Sequence, residues 1–190
     1  ALRQFDVNLH GVLRGMKLML PRMRARGHGH VVNIASAASK VAPPGEATYA
    51  ATKHAVYGYA TAVRAELRGS GVHLSLVMPA VVKTELAIGT AAGGTRRLSP
   101  DEVADAVLGV LLRPRFEVFV PRRLAVLPRL AALVPGRVRD ALYRALVPDQ
   151  LAALDDPSVR AAYEQRTRTG GGAPADPESA GSAPGEPTAS

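Results

Sequence analysis

The run His30-Val31-Val32-Asn33-Ile34-Ala35 is short, rich in β-branched residues and without clear polar alternation. Such a run is typical of a strand that is buried on both faces of a parallel sheet. A similar run follows at 72–78 and stops at Pro79, and an alternating run at 116–120 stops at Pro121. The sequence therefore predicts three strands.

Helical patterns precede and separate these strands. Apolar residues recur near the helical period over 2–23 and again over 47–67. The sequence Ser99-Pro100-Asp101-Glu102 predicts a third helix, because Ser at the N-cap, Pro at N1 and Glu at N3 form a capping box. Residues 37–46 are predicted to be a loop, and the glycine-containing segment 85–98 a mobile loop.

Alternating helices and strands predict an α/β fold, namely part of a doubly wound, Rossmann-like parallel sheet. In such folds a glycine-rich phosphate turn normally follows the first strand and opens a helix. No glycine pair of this sequence has that context. Because the chain also begins at Ala1 inside a predicted helix, we expect it to be the C-terminal part of a longer domain, without its phosphate-binding half.

The C-terminal region has a different composition. Residues 124–147 are apolar and punctuated by arginine, and Pro128 and Pro135 interrupt them, which predicts one or two short amphipathic helices. We expect them to cover a substrate cleft or a subunit interface rather than to lie on a membrane surface. The prediction is thus a sheet domain over 1–125, a helical extension over 126–166 and a disordered tail over 167–190.

Composition excludes several functional classes. The net charge is +8, but the basic residues are scattered along the sequence and aromatic residues make up 4%, so nucleic-acid binding is not expected. The sequence contains no cysteine, which rules out thiolate metal sites and fits a reducing compartment. The histidines lack metal-ligand spacing. No run approaches the roughly 20 apolar residues of a spanning helix. We therefore expect a cytoplasmic protein without a metal site.

The chemistry-bearing pair is Tyr49 and Lys53. Four residues apart on a predicted helix, they project from the same face one turn apart. A phenol has a pKa of about 10, and a neighbouring ammonium lowers that pKa by favouring phenolate, as a general acid/base requires. The alternative is that both are ordinary helix-surface residues. Tyr57 and Tyr59 lack a lysine four residues later, so we expect them to serve packing.

A serine stands in a suitable position to join this pair. Ser36 directly follows the first predicted strand, and ligands of open α/β sheets bind at the carboxyl ends of the strands. Its hydroxyl would hydrogen-bond a substrate carbonyl and hold it near Tyr49. A plain loop serine is the alternative, and Ser39 is a competitor that lies further from the strand end.

These residues resemble the classical short-chain dehydrogenase/reductase family over roughly residues 1–125. Phe-Asp-Val-Asn-Leu-His-Gly at 5–11 is similar to the family's helix with its catalytic asparagine, and Gly-His-Val-Val-Asn-Ile-Ala-Ser at 29–36 to its strand with the catalytic serine. The resemblance implies the catalytic residues Asn8, Ser36, Tyr49 and Lys53.

A further segment resembles the family's nicotinamide-binding turn. Pro-Ala-Val-Val-Lys-Thr at 79–84 is similar to the family's Pro-Gly-x-Val-x-Thr, with Ala80 in place of the usual glycine. The resemblance implies that Pro79 belongs to this turn, that the Val82 backbone contacts the carboxamide, and that Thr84 does so through its side chain. The catalytic Tyr49 and Lys53 are also implied to contact the cofactor.

The resemblance implies a hydride transfer between NAD or NADP and a small carbonyl or alcohol substrate, with Tyr49 passing the proton. Lys53 is implied to lower the tyrosine pKa and bind the nicotinamide ribose, and Asn8 to hold a water that links Lys53 to solvent. We expect a homo-oligomer at full length and an inactive isolated chain. Two alternatives remain: a non-catalytic binding or scaffold protein derived from the family, and an extended-family epimerase or dehydratase.

Overall fold

The computed structural model describes residues 2–83 and 96–147. The strands and helices of these residues are β1 (Gly29–Ile34), β2 (Val72–Pro79), β3 (Glu117–Val120), α1 (Leu2–Phe5), α2 (Gly11–Ala25), α3 (Ala47–Glu66), α4 (Pro100–Leu112), α5 (Val126–Ala131) and α6 (Gly136–Leu146). One π-helical segment, Asp6–His10, joins α1 to α2, and short 3₁₀ turns occupy Ala37–Ser39 and Arg122–Ala125. This order matches the predicted alternation of helices and strands.

The strands form one parallel sheet in the order β1-β2-β3 within the described part of the chain. The register pairs Ile34 with Val77 and Leu76 with Glu117. Helix α3 connects β1 to β2, and α4 lies between β2 and β3 in the chain, so each parallel pair is linked across a helix. The predicted Rossmann-like α/β sheet is confirmed.

The sheet is covered by helices on both faces. Alternate residues of β2, including Leu74, Leu76 and Met78, pack in one apolar cluster with side chains of α2 and α3. Val77 points the other way and packs with Val110 of α4. Burial on both faces explains why the later part of β2, Leu76-Val77-Met78, is a continuous apolar run, whereas its first part alternates with His73 and Ser75.

Strand β1 departs from the sequence prediction. We expected a strand buried on both faces, but β1 is only partly buried and Ile34 at its end is 47% exposed. The cause is topological: among the described residues β1 pairs with β2 alone, which leaves its other edge open. The run of β-branched residues correctly predicted a parallel strand, but it wrongly predicted that both faces of this strand are buried.

The start of α4 agrees with the sequence prediction, whereas the end of the first long helix does not. At α4 the predicted capping box is confirmed, since the Ser99 hydroxyl accepts from the Glu102 N–H and the Glu102 carboxylate accepts from the Ser99 N–H. The first helix runs on to Ala25, past the predicted end at residue 23, with Pro21 inside it. Its widened π turn at Asp6–His10 was not predicted.

The region after β3 forms two short helices, α5 and α6, as the prolines predicted. Several of its large apolar side chains are exposed, among them Leu130, Leu133, Val138 and Leu146. No helix of the described ranges is long and apolar enough to cross a membrane. The predicted tail at 167–190, part of the extension at 126–166 and most of the predicted loop at 85–98 lie outside the described residues.

Candidate active site

The candidate site lies at the carboxyl edge of the sheet. The Ala35 N–H donates to the Val77 carbonyl at 2.8 Å, and the Ala80 N–H donates to the Val120 carbonyl at 2.9 Å. These bonds attach the residue that directly follows β1 to β2, and the residue that directly follows β2 to β3. Both segments therefore leave the sheet at its carboxyl edge. In open α/β sheets this edge is where ligands bind.

Ser36 is fixed by the turn that follows it. Its backbone is extended, and its hydroxyl oxygen accepts from the Ala38 N–H at 3.1 Å, which caps the 3₁₀ turn Ala37–Ser39. The same hydroxyl lies close enough to the Tyr49 phenol to lower the pKa of that phenol. The structure therefore brings together Ser36 and Tyr49, which are thirteen residues apart in the sequence.

Tyr49 and Lys53 are neighbours on α3, as their spacing predicted. The Lys53 Nζ lies 5.5 Å from the centroid of the Tyr49 ring. Tyr49 stands in the first turn of α3, and α3 contacts the 3₁₀ turn that follows Ser36. The three polar side chains form one cluster where α3 meets the carboxyl end of β1.

The electrostatics of this pair differ from the sequence prediction. Burial raises the pKa of the Tyr49 phenol, the nearby Ser36 hydroxyl lowers it, and the Glu46 carboxylate raises it again. The net direction is upward, so the predicted lowering is wrong for the protein alone. Burial also lowers the pKa of Lys53, because partial removal from water disfavours the charged ammonium. The phenol is therefore a protonated donor at neutral pH.

Asn8 approaches this cluster from the first helix. It lies in the π turn, and its side-chain amide donates to the Thr52 hydroxyl at 3.3 Å. The buried Thr52 hydroxyl donates in turn to the Tyr49 carbonyl at 2.7 Å. Sequence reasoning missed both Thr52 and the π turn, although such turns occur frequently at functional sites. The water between Asn8 and Lys53 stays a prediction.

The turn after β2 is held through its backbone. The Lys83 N–H donates to the Leu98 carbonyl at 2.8 Å, and the Leu98 N–H donates to the Val81 carbonyl at 2.9 Å. In this parallel bridge neither bond uses the N–H or C=O of Val82. Pro79 is buried at the end of β2. The sequence also predicted Thr84, which lies outside the described residues.

Comparison with known proteins agrees with this fold. The family model described as short chain dehydrogenase matches residues 2–93. An uncharacterised oxidoreductase of Staphylococcus haemolyticus is 34% identical over 109 residues, which are 57% of this chain and 47% of that protein. Over residues 2–93 the chain is therefore similar to the short-chain dehydrogenase family. It spans about half the length of the curated relatives it matches.

Solved short-chain dehydrogenases share the fold. One from Burkholderia cenocepacia, in complex with NADP, has a TM-score of 0.64 and 26% identity, and the match covers 76% of this chain and 57% of that one. Another from Burkholderia phymatum, in complex with NAD, has a TM-score of 0.57 and 25% identity, covering 68% of this chain and 56% of that one. The three-stranded sheet is thus the corresponding part of a short-chain dehydrogenase domain.

Ser39, the competing serine, has a different environment from Ser36. It is 1% exposed, and its hydroxyl has no hydrogen-bond partner among the described residues. The structure therefore shows no hydrogen bond from Ser39 to Tyr49, and a buried hydroxyl without a partner costs free energy of folding.

We expect substitution of Ser36 and substitution of Ser39 to have clearly different effects on the turnover of the whole protein. Ser36→Ala should lower turnover by about 10²-fold, as the loss of one donor to a developing oxyanion does, and leave cofactor binding intact. Ser39→Ala should leave turnover near normal and raise the free energy of unfolding slightly, by at most ~1 kcal/mol. Steady-state kinetics and denaturant unfolding measure both. Normal turnover in Ser36→Ala together with loss in Ser39→Ala would reverse the assignment.

Proposed function

We propose that the protein is an NAD(P)-dependent oxidoreductase that interconverts a carbonyl and an alcohol by hydride transfer, with Tyr49 as general acid/base. The observation that carries this proposal is the cluster of the Ser36 hydroxyl, the Tyr49 phenol and the Lys53 ammonium at the carboxyl edge of the sheet. A phenol beside a hydroxyl suits a single substrate oxygen that needs both a hydrogen bond and a proton.

The polar groups at this edge fit a nicotinamide dinucleotide. The Val82 N–H and C=O, unused by the pairing with Leu98, offer the complementary pair that a carboxamide requires. The Lys53 ammonium offers donors to ribose hydroxyls. Pro79 shapes the turn, and Thr84 is proposed from the motif alone. The two solved dehydrogenases bound to NADP and NAD support this class of cofactor. Other segments of the domain would hold the phosphates, since no described strand leads into a glycine-rich turn.

The residues of the chain act at the substrate oxygen. The nicotinamide, when bound, supplies or accepts the hydride. During carbonyl reduction Ser36 hydrogen-bonds the carbonyl oxygen, and Tyr49 gives that oxygen its proton as the carbonyl carbon is reduced. Because the pKa of Tyr49 is raised, the phenol holds its proton at neutral pH and is ready to donate it. Asn8 and Lys53 would return a proton to Tyr49 through a water.

The chain divides into three proposed regions. We propose that residues 1–125 are the catalytic part of the domain, that 126–166 are a helical extension beside the substrate cleft or a subunit interface, and that 167–190 are a disordered tail. The substrate would be a small carbonyl or alcohol compound. A homo-oligomeric state of the full-length protein and a cytoplasmic location stay predictions.

Titration of the whole protein with NADH and with NADPH tests the proposal. We expect quenching of protein fluorescence or enhancement of nucleotide fluorescence at micromolar concentrations with at least one of them. The variant Ser36→Ala/Tyr49→Phe should keep this affinity, because neither hydroxyl is the main anchor of the dinucleotide. No binding of either nucleotide would overturn the proposal. Binding without turnover on any carbonyl or alcohol would favour the non-catalytic alternative.

A further inference from the structure

Three side chains outside the catalytic cluster form a second polar network. The Glu117 Oε1 accepts a hydrogen bond from the Tyr57 hydroxyl at 2.7 Å and lies 3.4 Å from the Lys40 Nζ. The Lys40 Nζ also stands 3.5 Å from the centroid of the Tyr57 ring. Each member thus contacts the other two. Tyr57, expected to serve packing, has a polar role as well.

This network joins the two segments that carry the catalytic hydroxyls. Lys40 directly follows the 3₁₀ turn that Ser36 caps. Tyr57 lies eight residues after Tyr49 on α3. Glu117 begins β3, in the fixed framework of the sheet. One carboxylate therefore ties both the serine loop and the tyrosine helix to the same strand.

The network is better protected from water than the surface ion pairs of the chain. The side chains of Lys40 and Glu117 are 23% and 28% exposed, whereas those of Arg139 and Asp140 are 50% and 65% exposed. Partial burial reduces screening, and the aromatic face adds a cation–π attraction to the ammonium. The exposed pair should contribute little and serves as a control.

We propose that Lys40, Tyr57 and Glu117 are positioning residues that set the separation between the Ser36 hydroxyl and the Tyr49 phenol. This inference rests on the proposed function. Its physical basis is that displacing a reacting group by about 1 Å costs as much as 10²-fold in rate. Without the carboxylate, the loop after Ser36 and helix α3 lose their common attachment to β3. The substrate oxygen would then meet the two hydroxyls at unequal distances.

The test uses four variants of the whole protein: Lys40→Met, Lys40→Arg, Glu117→Gln and Lys40→Met/Glu117→Gln. We expect Lys40→Met and Glu117→Gln each to lower kcat by about 10-fold, with the Kd of the cofactor unchanged because Lys53 and Val82 are untouched. The kcat of the double variant should be about equal to that of the slower single variant, because both substitutions break the same network. Lys40→Arg, which keeps the cation, should recover most of the rate.

Two controls make the result decisive. Arg139→Met, which breaks the exposed pair, should leave kcat, the Kd of the cofactor and Tm unchanged. Thermal unfolding of each variant shows whether it is folded at the assay temperature. Folded Lys40→Met and Glu117→Gln proteins with the kcat of the unsubstituted protein, or with changed Tm alone, would overturn the inference and leave the proposed function standing. A protein that lacks turnover before any substitution would instead remove the proposed function, and the inference with it.

Discussion

Tyr49→Phe should lower the turnover of the whole protein by about 10²–10⁴-fold, the usual contribution of general acid/base catalysis. The substitution keeps the ring and its packing at the start of α3, but it removes the hydroxyl that is proposed to pass a proton to the substrate oxygen. The Ser36 hydroxyl keeps its bond to the Ala38 N–H, so the remaining hydrogen bond to the substrate survives. Cofactor affinity should change little.

The control for this variant is Tyr59→Phe. Tyr59 lies on the same helix and packs against the apolar core, so deleting its hydroxyl should leave turnover near normal. Steady-state kinetics and a cofactor titration on both proteins provide the comparison. Near-normal turnover in a folded Tyr49→Phe protein would show that Tyr49 is a helix-surface residue and would remove the mechanism.

Lys53→Met should lower turnover and weaken cofactor binding together, since the ammonium is proposed both to serve Tyr49 and to hold the ribose. We expect each effect to reach about 10-fold or more, as loss of a hydrogen bond to a charged group does. The variant should also unfold at a higher temperature than the unsubstituted protein. Burial lowers the pKa of Lys53, which means that the folded state bears a penalty for keeping this ammonium charged.

The pH dependence of that stability difference follows from the direction of the pKa shift. Below the unfolded-state pKa of a lysine, the unfolded chain binds the proton more readily than the folded one does, so the penalty is present at neutral pH. It fades as the pH rises from the lowered folded-state pKa to the unfolded-state pKa, above which neither state carries the proton. The advantage of Lys53→Met should therefore shrink in alkaline buffer. Lys17→Met, at an exposed position of α2, is the matched control. A Lys53→Met protein with normal cofactor affinity would contradict the role of the ammonium.

Local patterns predicted the architecture well because they reflect local physics. The capping box at Ser99 needs only neighbouring residues, and the apolar segment Leu76-Val77-Met78 of β2 reflects burial on both faces. The environment of β1 was missed, since a run of β-branched residues does not say how many strands lie beside it. Local pattern alone likewise gave no sign of the π turn around Asn8.

The sequence predicted that Ser36, Tyr49 and Lys53 lie together, but it did not predict the direction of the Tyr49 pKa shift. Spacing placed Lys53 beside Tyr49, and the strand end placed Ser36 at the right edge. The upward direction of the Tyr49 pKa depends on burial, which requires the packed structure. The contact between Lys40 and Glu117 joins residues 77 positions apart, a separation at which sequence spacing carries no information.

Transfer of deuterium from a labelled cofactor tests the central claim most directly. The whole protein is incubated with NADH or NADPH deuterated at the transferable position and with a panel of aldehydes and ketones, and the products are analysed by mass spectrometry. The account predicts one deuterium on the carbinol carbon of a product alcohol, at normal rate with Ser39→Ala and at a rate about 10²–10⁴-fold lower with Tyr49→Phe. A protein that binds the nucleotide yet yields no deuterated alcohol, or a Tyr49→Phe variant that yields it at the unsubstituted rate, would contradict the account.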